Sequence, residues 1–389
     1  MVVWGCWISA YSFFESIVGF VNNSLLRIVN VNNKINTLVF LGVAFGCIGF
    51  ISFISSQTIS VVCGAGGFIG HHLVRALKVE GHWVRGVDIK YPDFSEVDAD
   101  DFIIGDLRDP LICAKAVSSP FPARNIDHVY QLAADVGGIG YIVSHDAQIM
   151  SNSVRINVNI LEACKNAKVG RIFFSSSSCV YPEYNQGNPE ESLCSESEVY
   201  PALPDTEYGW EKLFSERLYQ AYARDLGMQV RIGRFFNIFG PEETWCGGRE
   251  KVVAALCRKI ANAPDGGQIE VWGSGLQTRS FLYVDECAKS IIRLTRSDFI
   301  GPVNIGATII ISINDLAKLI AKAAKKNIVI KNVDGPTGVN GKKSDNRLIV
   351  EKLNWQPSDE LWIGLLRTYQ WVNEQIKNMP VYRKKLVEI

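Results

Sequence analysis

Apolar residues are distributed along this chain in two unlike patterns. Ahead of residue 58 they form long runs: Val2 to Val21 is apolar apart from Glu15, and Leu38 to Ile54 is almost wholly apolar within an uncharged stretch from Asn36 to Gln57. From Ile59 onward, short apolar runs alternate with longer segments of mixed character. Ile59 to Val62, Trp83 to Val87, Val129 to Leu132, Arg171 to Phe174 and Val230 to Arg234 read as strands, and Ile103-Ile104 ends another. Phe68 to Glu80, Gln148 to Asn166 and the long stretch opened by Tyr208 read as helices between them. Strands that alternate with helices build a parallel sheet covered on both faces. The fold class predicted is α/β, a doubly wound parallel sheet over 58–241. A smaller C-terminal α/β lobe over 242–389 follows, mainly for substrate, with some of its segments returning to the first. It opens with a helix carrying Arg258 and Lys259 and a short strand, Ile269 to Trp272.

The first strand runs into Cys63-Gly64-Ala65-Gly66-Gly67-Phe68-Ile69-Gly70, a glycine-rich turn that leads straight into a helix. That is the setting of a dinucleotide-binding turn. Gly64 permits the tight turn, Gly67 lets backbone approach a pyrophosphate, and Gly70 lets the helix pack on its strand. Phe68 and Ile69 open the helix, whose free N–H groups and positive dipole end suit phosphate oxygens. Asp88 follows the second strand, about twenty residues on, where an acid binds the adenosine ribose hydroxyls. This favours NAD over NADP, although Lys90 lies close. Asp106, after the third strand, is placed to hydrogen-bond the adenine amino group. The small residues Ala133 and Ala134 leave room for the cofactor to lie flat. The first lobe is therefore of the Rossmann type, with NAD as cofactor.

The strand from Arg171 opens into Ser175-Ser176-Ser177-Ser178-Cys179, at the sheet end where ligands of open α/β folds bind. Tyr208 and Lys212 lie at i and i+4, on one face of a helix. An ammonium there, with the positive nicotinamide, is expected to stabilise tyrosinate so that Tyr208 takes a hydroxyl proton. Arg249, Lys251, Arg258, Lys259, Arg279, Lys342 and Lys343 form three cationic groups in the smaller lobe, and such side chains grip a diphosphate.

Charge and composition narrow the classes. Forty basic and 40 acidic side chains cancel, which removes any general pull toward nucleic acid or anionic membrane. The 10 cysteines and 5 histidines have no metal-ligand spacing, so no metal site is expected, and reduced thiols of a cytosolic enzyme are the simpler reading. The leader of residues 1–57 reads either as an anchor of one or two membrane passes or as a mis-assigned start. Cytoplasmic localisation follows, with any membrane contact made through that leader.

Taken together, Gly64/Gly67/Gly70, Asp88, Ser177 and Tyr208/Lys212 resemble the signature of the extended short-chain dehydrogenase/reductases, from about Ile59 to Ile376. Four further stretches resemble the GDP-mannose 3,5-epimerase branch. They are Leu132-Ala133-Ala134-Asp135-x-Gly137-Gly138, Ser178-Cys179-x-Tyr181-Pro182-Glu183, Gly247-Gly248-Arg249-Glu250-Lys251 and Gly275-Leu276-Gln277-Thr278-Arg279-Ser280-Phe281. The resemblance implies a homodimer acting on a nucleotide-sugar by C4 oxidation, enolate inversion at C3 and C5, and re-reduction. It also implies substrate contacts at Gly137, Ser177, Ser178, Cys179, Asn237, Glu250, Lys251, Lys259, Gln277, Thr278, Arg279 and Lys342, with Cys179 and Lys251 as the acid–base pair. Phe236 stands where that pattern has His, and Lys342 where it has Arg. Other readings are a 4-epimerase, a 4,6-dehydratase, which carries an Asp-Glu pair where this chain has Ser178-Cys179, and a non-catalytic, membrane-tethered NAD-binding protein.

Overall fold

The apolar runs of the first lobe become adjacent strands of one seven-stranded parallel sheet. Its order is 302–305, 230–235, 171–177, 128–131, 59–63, 83–88, 101–104. The computed structural model describes residues 57–190, 192–358 and 360–379. The apolar leader, and with it the anchoring expectation, lies outside the described residues up to residue 56. Among the described residues no helix is long and apolar enough to cross a membrane.

The interior strand Ile59–Cys63 is buried along its whole length, as a strand covered on both faces must be. Alternation along it divides the core in two: Ile59, Val61 and Cys63 join one cluster and Val62 the other. Helices Asp146–Asn166 and Glu207–Leu226 cover the first face through Ile160, Leu161 and Tyr219. Helices Phe68–Val79 and Val284–Arg296 cover the second through Leu73, Leu77, Cys287 and Ile291. Strand order reverses between Ile59–Cys63 and His128–Gln131, which opens a crevice at their carboxyl ends.

Strand Arg171–Ser177 runs three residues beyond its predicted end, because the parallel ladder to Val230–Phe235 continues through the serines. That extension carries Ser177 to the crevice. The boundary at 241/242 is crossed both ways. Pro302–Ile305 returns to the large sheet, as expected. Leu193–Cys194, from the first lobe, pairs with Gly341–Ser344 in a four-stranded sheet that also holds Thr278–Ser280 and Ile310–Ser312. The second lobe has its own core, where helices Val252–Asn262, Ile313–Ala324 and Leu361–Asn378 pack through Leu256, Ile260, Leu316, Ile320 and Leu365.

Candidate active site

A cavity of about 820 Å³ lies over the carboxyl ends of the strands. At one end is the glycine turn. Gly64 has a φ of +85°, and a Cβ at Gly70 would stand 1.9 Å from the Gly64 carbonyl oxygen, so turn and helix touch backbone to backbone. Gly67 caps helix Phe68–Val79 without a side-chain acceptor, and Phe68, Ile69 and Gly70 line the cavity. The Asp88 carboxylate accepts the Gly66 N–H at 2.9 Å and the Lys90 N–H at 3.3 Å, while burial raises its pKa above the usual carboxylate value. The Lys90 ammonium is taken up by Asp93. A glycine cradle, an uncapped helix end and an acid at the second strand's end fit a dinucleotide. Asp106 also lines the cavity, but Arg108 donates to both of its oxygens, at 3.0 and 2.9 Å, and holds it below the usual carboxylate range.

Thr206 caps helix Glu207–Leu226 by accepting the Gly209 N–H at 3.3 Å, which sets Tyr208 and Lys212 on successive turns. The Lys212 ammonium lies 5.7 Å from the centre of the Tyr208 ring and donates to the Ser175 carbonyl at 3.0 Å. The Ser177 hydroxyl is hydrogen-bonded with Tyr208 and accepts the Cys179 N–H at 3.1 Å. The protein's own groups do not produce the expected low tyrosine pKa. Burial pushes Tyr208 well up and Lys212 down, so a further positive charge beside the ring is required to favour tyrosinate.

Cys179 sits half-buried in a single 3-10 turn, Ser178–Val180, with Lys342 Nζ 3.9 Å from its sulfur. Lys342, expected as a substrate contact, lines the same cavity, and its ammonium lies against the thiol. Lys251 caps helix Val252–Asn262, and its ammonium stands 3.4 Å from Glu243. The Arg279 guanidinium is half-buried and anchored by the carbonyls of Thr278 at 2.8 Å and Val339 at 2.6 Å. Asn237, at a φ of +38°, donates to the Ser280 carbonyl at 2.8 Å. Glu250 accepts from Arg258 at 3.1 Å and from the Gly248 N–H at 2.7 Å. Lys259 donates to the Glu270 carbonyl at 2.8 Å and Gln277 to the Trp272 carbonyl at 3.1 Å. All of these, with Gly137 and Ser178, line the cavity.

Thr278 does not. Successive strand residues face opposite ways, so Gln277 and Arg279 share the cavity side while the Thr278 hydroxyl donates to the Pro189 carbonyl at 2.5 Å. Phe236, the departure from His, is fully buried among Val180, Tyr181 and Leu213, behind the cavity wall. Two histidines without metal-ligand spacing do meet an acid: His71 lies 2.7 Å from Glu242, with His72 beside it. Arg75 takes both Glu242 oxygens at 2.9 and 3.0 Å, which makes this a clasp between the first helix and the loop after Pro241. Two contributors escape a reading of the sequence. A Cβ at Gly209 would stand 2.2 Å from the Cys179 carbonyl oxygen, so the helix rests directly on the cysteine turn. Glu243 is buried on the cavity wall, although a Glu-Glu pair after Gly-Pro looks like surface charge.

Residues 60–306 match the NAD dependent epimerase/dehydratase family. The chain is 46% identical over 318 residues to GDP-mannose 3,5-epimerase 1 of Oryza sativa subsp. indica, covering 81% of this chain and 82% of that protein. It is 45% identical, with the same coverage, to the GDP-mannose 3,5-epimerase of Arabidopsis thaliana. Its fold is similar to that of a UDP-N-acetylglucosamine 4-epimerase from Methanobrevibacter ruminantium M1, with a TM-score of 0.70 and 26% identity over 82% of this chain and 99% of that one. A dinucleotide cradle, a Ser-Tyr-Lys set and a cysteine–lysine pair lining one cavity agree with those likenesses: this chain belongs to the NAD-dependent epimerase/dehydratase family, and within it to the GDP-mannose 3,5-epimerases.

Proposed function

We propose that this chain inverts C3 and C5 of GDP-mannose by transient oxidation at C4. The observation that carries the reading is that Cys179 and Lys251 line the same cavity as Tyr208 and Lys212. Simple C4 epimerisation has no use for the first pair. NAD, when bound along the Gly64–Gly70 turn, supplies a reversible hydride acceptor and the positive charge that Tyr208 lacks. Tyr208, held by Ser177, accepts the C4 hydroxyl proton. A ketone at C4 acidifies the protons on C3 and C5, and inversion there needs a base and an acid approaching from different directions. Cys179 comes from the turn after strand Arg171–Ser177, and Lys251 from the start of a helix in the other lobe. Thiol and amine are readily tuned toward neutral pH. Lys259 and Arg279 supply positive charge for the diphosphate, and Asn237, Glu250 and Gln277 supply hydrogen-bonding groups for the rest of the substrate.

The same reading includes a cytoplasmic homodimer, with any membrane contact confined to residues 1–57. Trp210 and Phe214, one turn apart on helix Glu207–Leu226, are 38% and 48% exposed and offer a second copy an apolar ridge. Incubation with GDP-mannose in deuterium oxide tests the chemistry. Deuterium at C3 and C5 is the expected result; label at neither carbon, or NADH released in step with product, rules it out.

A further inference from the structure

We propose that Glu243 is a positioning residue for Lys251, a buried carboxylate that holds the ammonium directed into the cavity and lets it go on taking up a proton itself. This rests on the reading of Cys179 and Lys251 as the proton-transferring pair.

Glu243 lies in the loop between strand Ile238–Phe239 and helix Val252–Asn262 and is 4% exposed. Among the described residues neither of its oxygens has a hydrogen-bonding neighbour other than the Lys251 ammonium. A buried carboxylate without donors is destabilising, and an apolar side chain would fill the place at less cost. Packing therefore does not account for it. What faces it is Lys251, whose ammonium stands 3.4 Å from Oε1. That is longer than the roughly 2.7–2.9 Å of a charge-assisted hydrogen bond, so the lysine is paired without being locked. Its side chain is 38% exposed and lies on the cavity wall. Glu242, next in sequence, turns the other way and is held by His71 and Arg75.

The other titratable groups nearby are thiols. Cys257, on helix Val252–Asn262, is pushed up by burial and by the Glu243 charge. Cys287, on helix Val284–Arg296, is pushed up by burial and faces Lys251. Burial raises the Glu243 carboxyl to about 7, against the pull of Lys251. Above that pH the carboxylate is ionised and holds the ammonium; below it the acid is neutral and the hold is lost. Proton transfer through Lys251 should thus fade as pH falls through neutrality.

Glu243→Gln keeps the shape and removes the charge and the titration. Solvent deuterium incorporation into GDP-mannose, followed against pH, should fall about tenfold for the variant with little change in KM. Its acid limb near neutrality should vanish, and Glu243→Asp should restore that limb. A Glu243→Gln profile that keeps the wild-type limb overturns the proposal. Difference infrared spectroscopy reads the carboxyl directly and needs no Glu243 variant. The protonated-acid band should titrate near neutrality in wild type and at higher pH in Lys251→Met, and an unchanged midpoint also overturns the proposal. Wild-type protein that exchanges no deuterium would sink the functional reading instead, and the infrared midpoints would still decide whether Glu243 and Lys251 are coupled.

Discussion

Gly209→Ala tests whether the tyrosine helix and the cysteine turn are aligned by direct contact. The added Cβ would lie 2.2 Å from the Cys179 carbonyl oxygen, 2.8 Å from the Pro204 Cβ and 3.1 Å from the Cys179 carbonyl carbon. Ordinary contact begins at 3.4 Å, and two of the three neighbours are backbone, which cannot swing aside. Helix and turn must therefore part by roughly 1 Å, a displacement that costs on the order of 100-fold in rate when it misaligns reacting groups. Overpacking of this kind also costs about 1–3 kcal/mol, which lowers Tm by several degrees. Steady-state kcat, a thermal melt and the content of bound NAD separate the effects. The expected outcome is a kcat about 100-fold lower, a modestly lower Tm and unchanged NAD content, because the glycine turn at Gly64–Gly70 is untouched. A kcat within twofold of wild type would refute the claim that this approach aligns Tyr208 with Cys179.

Tyr208→Phe should abolish oxidation at C4, whereas Cys179→Ala should still oxidise and lose deuterium exchange at C3 and C5; equal loss of both steps in Cys179→Ala would count against the division of labour. Burial, helped by His82, holds the His128 imidazole down at about 4. The folded protein then binds fewer protons than the unfolded chain, whose imidazole titrates near 6.5. Stability is therefore full above about pH 6.5 and falls as pH drops toward 4, by up to about 3 kcal/mol. His128→Gln should flatten that part of the Tm–pH curve, and an unaltered slope would exclude His128 as its source. Chain expressed from Ser55 should keep full turnover, since the catalytic set begins at Gly64; a soluble but inactive product would show that the leader contributes to the fold.

What could be read from the sequence is what short-range geometry dictates. A glycine turn between strand and helix builds its cradle within a few residues. Tyr208 and Lys212 fall on one helix face whatever the rest of the chain does, because the helical period places them there. Alternating strands and helices predict a doubly wound sheet by the handedness and packing of each unit. Contacts that depend on the chain returning to itself were not legible. Lys342 meets Cys179 across 163 residues, and the register of strand Gly341–Ser344 decides that it faces a thiol. Thr278 sits inside a recognisable motif, yet strand alternation turns it outward. The burial of Glu243 arises only in the folded chain, and the burial, not the residue type, gives the carboxyl its pKa. Spacing along the chain determines which groups share an element, but dielectric, charge pairing and close approach belong to neighbours brought from elsewhere, and those the tertiary structure alone decided.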